Sequence, residues 1–143
     1  MNNQSIQFIL LLIMSVCLSA STLYNDSWAV IVGINQYTGK GIPELNYAVK
    51  DAEDIRQVLI DSHNMDPEKI ILLLDKEATK ENIEEALLEY FLIAGENDRI
   101  IFYFAGHGET VPTTAGGEMG YLLPVDVKDM KKIVIKGLDM KSL

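Results

Sequence analysis

Three short apolar runs, separated by two stretches of helical periodicity, constrain this chain more than any other feature. Residues 28–34 read Trp-Ala-Val-Ile-Val-Gly-Ile, residues 70–74 read Ile-Ile-Leu-Leu-Leu, and residues 100–104 read Ile-Ile-Phe-Tyr-Phe. None of the runs alternates with polar residues, so each predicts a strand covered on both faces. Between the first two, Val49, Ala52, Ile55, Leu59 and Ile60 recur at helical spacing, with Asn46 as the expected N-cap and an end near Ser62. Between the second and third, Ile83, Ala86, Leu87, Tyr90 and Phe91 do the same. Thr79 is the expected cap there, and Gly95 the expected C′ residue. Strand, helix, strand, helix, strand implies right-handed crossovers. The expected class is α/β, a mostly parallel sheet flanked by helices.

The connecting segments carry turn chemistry. Residues 35–43 hold Gly39, Gly41 and Pro43 and predict a loop at the carboxyl end of the first strand. Residues 111–120, rich in Gly, Thr and Pro, predict a flexible loop, and residues 120–126 a short strand and a turn. Residues 138–143 read as a helix cap and first turn, too short to be stable alone. On that reading the fold is incomplete at its C-terminus.

Charge and the first residues narrow the partners. The 143-residue chain carries a net charge of −9, which argues against nucleic acid and anionic membrane surfaces. Residues 8–14 are unbroken apolar sequence, followed by mostly small residues up to Ser21. That pattern predicts a signal peptide over residues 1–20 with a cut after Ala20, hence a secreted or cell-envelope (periplasmic) protein, and residues 21–143 as one domain. Contact with a membrane is expected only through the N-terminal segment, if it is retained. The only cysteine, Cys17, lies inside this leader.

The third strand runs into Gly106-His107-Gly108. In open α/β sheets functional groups gather at the carboxyl ends of strands, and a histidine held there between glycines is placed for acid/base work. The other histidine, His63, falls in a polar turn and reads as a surface residue. Tyr37 and Tyr47, beside the loop after strand one, are candidates to line a pocket. Glu44, Asp54, Glu68, Glu81, Glu84 and Glu85 read as solvated faces.

Four segments in order and spacing resemble one family: residues 28–37, residues 45–52 (Leu-Asn-Tyr-Ala-Val-Lys-Asp-Ala), residues 100–109 and residues 120–126 (Gly-Tyr-Leu-Leu-Pro-Val-Asp). They resemble the caspase-like cysteine peptidases, nearest the metacaspase/orthocaspase branch. The resemblance covers about residues 28 to 140. It implies the caspase-like (caspase-haemoglobinase) fold, of which this chain holds the N-terminal, large-subunit part. It also implies a cysteine-type endopeptidase using a Cys-His dyad on peptide or protein substrates. Residue by residue, His107 matches the catalytic histidine and the Gly108 N–H matches an oxyanion-hole donor. Asp51 matches an acidic residue of the S1 pocket, and Leu45 stands where Asp-cleaving caspases place an arginine. The pairing implies cleavage after Arg or Lys. Among cofactors the resemblance implies only calcium, and no ligand-spaced cluster resembles a calcium loop; no metal ligand is assigned. The family's nucleophilic cysteine follows a further strand beyond residue 143, so the chain by itself is expected to be inactive.

Two other readings stand beside this one. A non-catalytic caspase-like module would bind peptides or a partner without cutting. An unrelated flavodoxin-like domain would need a phosphate loop, and Gly39 and Gly41 form no Gly-x-Gly-x-x-Gly run.

Overall fold

The structure, a computed structural model, describes residues 23–129 and 132–143. The leader read over residues 1–20, with Cys17 and the cut after Ala20, lies outside the described residues. Strand β1 spans Ser27–Gly33, β2 Ile70–Leu74 and β3 Arg99–Ala105. They pair in parallel in the order β2-β1-β3, with Ile31 opposite Leu72 on one side and Tyr103 on the other. The central strand is the most buried, as its unbroken apolar run predicts: Ala29, Val30, Ile31 and Val32 are all 0% exposed.

Alternation along β1 divides the core in two. Val30 and Val32 pack with Ile83, Ala86, Leu87 and Tyr90, from helix α2, Lys80–Ile93. Ala29 and Ile31 pack on the opposite face with Ala52 and Leu59, from helix α1, Ala48–His63. Helix α1 crosses β1 at Gly33, where a Cβ would lie 2.7 Å from both Ala48 O and Ala52 Cβ. A side chain at that point would lift the helix from the sheet.

Helix ends depart from the expectations at one point. Thr79 caps α2 as expected, its Oγ1 accepting from the Asn82 N–H at 3.2 Å. Asn46 does not cap α1. The helix starts at Ala48 with Tyr47 at the N-cap position and no side-chain bond from it. The missing acceptor comes from across the fold, where Asn35 Oδ1 takes the Val49 N–H at 3.2 Å. Gly95 takes the expected C′ position after the C-cap Ala94, though outside the left-handed region. Helix α2 ends on an extended Ala94, and Gly95 donates its N–H to Asp98 Oδ2 at 2.8 Å.

The segment expected to be a flexible loop is a hairpin. Strand β4, Gly108–Pro112, pairs antiparallel with β5, Glu118–Leu122. Gly116 and Gly117 take φ of 86° and 92° in the turn, where a Cβ would be strained. The hairpin escapes periodicity because β4 is almost wholly exposed, so backbone pairing and turn geometry specify it. The expected C-terminal helix turn lies earlier, as α3 (Ile133–Lys136). Leu138–Asp139 forms instead a short strand, β6, paired with Tyr121 and Leu122. Leu138, at 3% exposure, is buried by that pairing.

Candidate active site

The carboxyl ends of β1 and β3 lie side by side, and the sheet ladder reaches one step past β1, from the Ile34 N–H to Ala105 O at 2.9 Å. Beyond that step the chain after β3 has no partner in the parallel sheet, and His107 stands there. Its main chain is held on both sides. The His107 N–H donates to the Tyr37 hydroxyl at 2.8 Å, and its carbonyl accepts the Leu123 N–H at 2.9 Å.

The imidazole is fixed by the loop after β1. Its Nε2 lies 2.8 Å from Pro43 O. A carbonyl oxygen only accepts, so the proton resides on Nε2, and in the neutral ring Nδ1 keeps its lone pair. The ring also leans on Tyr37, with centroids 5.0 Å apart and planes at 52°. Burial raises the Tyr37 hydroxyl to about 12, so it remains a neutral phenol wherever a histidine titrates.

Gly108 begins β4 opposite Leu122. Because His107 O receives the Leu123 N–H, Gly108 and Leu122 form a non-hydrogen-bonded pair of the antiparallel ladder. The Gly108 N–H therefore points away from β5, on the exposed side. A Cβ at Gly108 would make only an ordinary contact, 3.4 Å from Tyr121 O. Gly106 is the sterically required glycine: a Cβ there would lie 2.6 Å from Tyr37 Oη and 2.7 Å from Phe104 Cε1.

Asp51 stands exposed in the first turn of α1, its N–H bonded to Tyr47 O at 2.8 Å. No hydrogen bond or ion pair among the described residues joins it to His107. Tyr37 lines a cleft of about 640 Å³ together with Asp75 and Glu44. Tyr47, 70% exposed, is turned to solvent. Among the described residues no group of three or more His, Cys, Asp or Glu side chains is placed to hold a metal ion.

Two residues that periodicity does not single out organise the loop. Asp75, just after β2, accepts the N–H groups of Asn35 at 2.7 Å and Gln36 at 3.0 Å through one carboxylate oxygen. Its backbone sits at φ 41°, a left-handed conformation uncommon outside glycine. Asn35 in turn accepts the Leu45 N–H through its carbonyl and the Val49 N–H through its side chain. One carboxylate thus ties the ends of β1 and β2 to the start of α1. Asp75→Ala is expected to cost about 1.5–3 kcal/mol, the range for hydrogen bonds to a charged group. Asp75→Asn, which keeps an acceptor and tolerates the backbone, should cost less. Urea midpoints at unchanged m-value measure both; equal, negligible shifts would show the clamp to be idle.

Residues 26–143 match the family model of the caspase domain. A protein described as a probable protease from a Desulfuromonadales bacterium is 34% identical, over 82% of this chain and 16% of its own length. Metacaspase-1 of Arabidopsis thaliana is 32% identical, over 74% of this chain and 31% of its own. The chain thus spans less than a third of either relative. Among solved structures, protein GSU0716 from Geobacter sulfurreducens superposes with a TM-score of 0.64 at 21% identity, over 80% of this chain and 42% of that one, a likeness of fold.

Proposed function

The chain belongs to the caspase-domain family of peptidases, and from that premise we propose that it supplies the general base and an oxyanion donor of a cysteine endopeptidase. The observation that carries the reading is the imidazole anchored through Nε2 on Pro43 O, with the Gly108 N–H turned out of its ladder beside it. In the proposed reaction, Nδ1 of His107 takes the proton of a cysteine thiol, and the thiolate attacks the scissile carbonyl. The Gly108 N–H stabilises the oxyanion that develops. His107 then returns the proton to the leaving amine, and water releases the acyl group by the same route. The nucleophile comes from outside the described residues, which hold no cysteine. With the leader read over residues 1–20, the same proposal places the protein in the secreted or cell-envelope compartment.

The substrate side of the proposal rests on Asp51 and Leu45. A carboxylate near the S1 site, with no arginine at position 45, favours Arg or Lys at P1 over Asp. The 143-residue chain alone is expected to leave Arg and Lys reporter peptides uncut. A form carrying the family's nucleophilic cysteine is expected to cleave after Arg or Lys. In that form Asp51→Ala should lower kcat/KM on Arg peptides by about 10- to 100-fold, ~1.4–2.7 kcal/mol. The control is Asp54→Ala, which removes an exposed partner of Lys50 and should change little. If Asp51→Ala cuts Arg peptides at the parent rate, Asp51 is a solvated helix residue. If the cysteine-bearing form binds peptides without cutting any, the non-catalytic module is the right reading.

A further inference from the structure

We propose that Tyr37 is a positioning residue for His107, its hydroxyl holding the histidine's main chain so that Nε2 stays on the Pro43 carbonyl and Nδ1 stays free. The inference rests on the reading of His107 as general base. The sheet ladder ends at the bond from the Ile34 N–H to Ala105 O, which leaves the next inward N–H, that of His107, without a strand partner. The Tyr37 hydroxyl takes that N–H at 2.8 Å. A half-buried N–H without an acceptor is costly, so this hydroxyl decides where the peptide sits. The ring of the same tyrosine packs on the imidazole, 5.0 Å between centroids.

The groups that hold the His107 N–H and ring, Tyr37 Oη and Pro43 O, belong to one loop, and that loop is tied down at several points. Leu45 N–H bonds Asn35 O at 2.9 Å, Thr38 Oγ1 donates to Val125 O at 3.0 Å, and Asp75 holds the main chain at Asn35 and Gln36. A Cβ at Gly39 would fall 2.4 Å from Val127 O, so the loop backbone is seated directly against the segment after β5. Gly106 completes the fit, since any side chain there would displace the Tyr37 hydroxyl. Histidine position matters because a displacement of about 1 Å at a reacting group can cost ~10²-fold in rate.

The test reads the imidazole itself in the full 143-residue chain labelled with ¹⁵N-histidine, above the ordinary imidazole pKa of ~6.5. There are two histidines, His63 and His107, and exposed His63 serves as the internal reference. In the parent chain His107 is expected in the single Nε2–H tautomer. Tyr37→Phe keeps the ring and removes the hydroxyl, and should bring the two ring-nitrogen shifts of His107 toward each other as the tautomers mix. Gly106→Ala, which displaces the hydroxyl by another route, should reproduce that change. Asp54→Ala removes only an exposed partner of Lys50 on α1, outside that loop, and should leave the His107 tautomer as in the parent chain. A single Nε2–H tautomer persisting in Tyr37→Phe overturns the positioning role and leaves the general-base reading standing. An Nδ1–H tautomer in the parent chain overturns both.

Discussion

Replacing His107 with alanine, in a form that carries the nucleophilic cysteine, is expected to lower kcat/KM by about 10²–10⁴-fold, the usual contribution of general acid–base catalysis. The imidazole is the base of the proposed site, and its Nε2 is committed to Pro43 O. Without it the thiol has no base and the leaving amine no acid. The fold should survive the change. The His107 side chain is only partly buried, and both main-chain bonds, to Tyr37 Oη and from the Leu123 N–H, need no imidazole. Unaltered thermal unfolding with turnover near the parent level would remove His107 from the chemistry.

The largest expected effect on stability is at Ile31. It lies in the middle of the central strand, 0% exposed, and packs against Ala52, Leu59, Met65 and Ile70. Ile31→Ala removes methyl groups between β1 and α1, where paired strands on both sides limit relaxation. A cost of about 3 kcal/mol is expected from lost burial plus the cavity. That is a large share of the ~5–15 kcal/mol typical of a whole domain. Val58, on the outer face of α1 and 47% exposed, is the control, and Val58→Ala should stay within about 0.5 kcal/mol. Equal shifts in the urea midpoint for the two variants would mean that the β1–α1 interface is not the core.

Asn35 and Asn46 show where local reading succeeds and where it stops. Asn46 has the right residue type at the right distance from a helical pattern, and still α1 starts later, with Val49 N–H capped by Asn35. The cap is an oxygen delivered by the end of β1, and no window around residue 46 contains it. Thr79 succeeds because its partner, the Asn82 N–H, is three residues away. Residues 111–120 read as a loop for a related reason. The residues of β4 are mostly exposed, so they need no apolar alternation, and Gly116 and Gly117 signal a turn without naming the strands it joins.

Burial on two faces writes itself into residue type, and so the three parallel strands, the two covering helices and the place of His107 at a strand end were legible along the chain. The pattern of segments around that histidine was legible as well, and the caspase-domain match bears out the family it indicated. The grip on His107 was not. Tyr37 reaches it across 70 residues, Pro43 across 64, and Asp75 holds Asn35 across 40. Two of these three contacts use main-chain atoms of the residue being held, and the third uses the carbonyl of Pro43. A main-chain group is the same at every non-proline position, so its hydrogen-bond partner leaves no mark on residue type. Which oxygen meets which N–H is set by how the ends of β1, β2 and β3 come together, and that exists only once the sheet has formed.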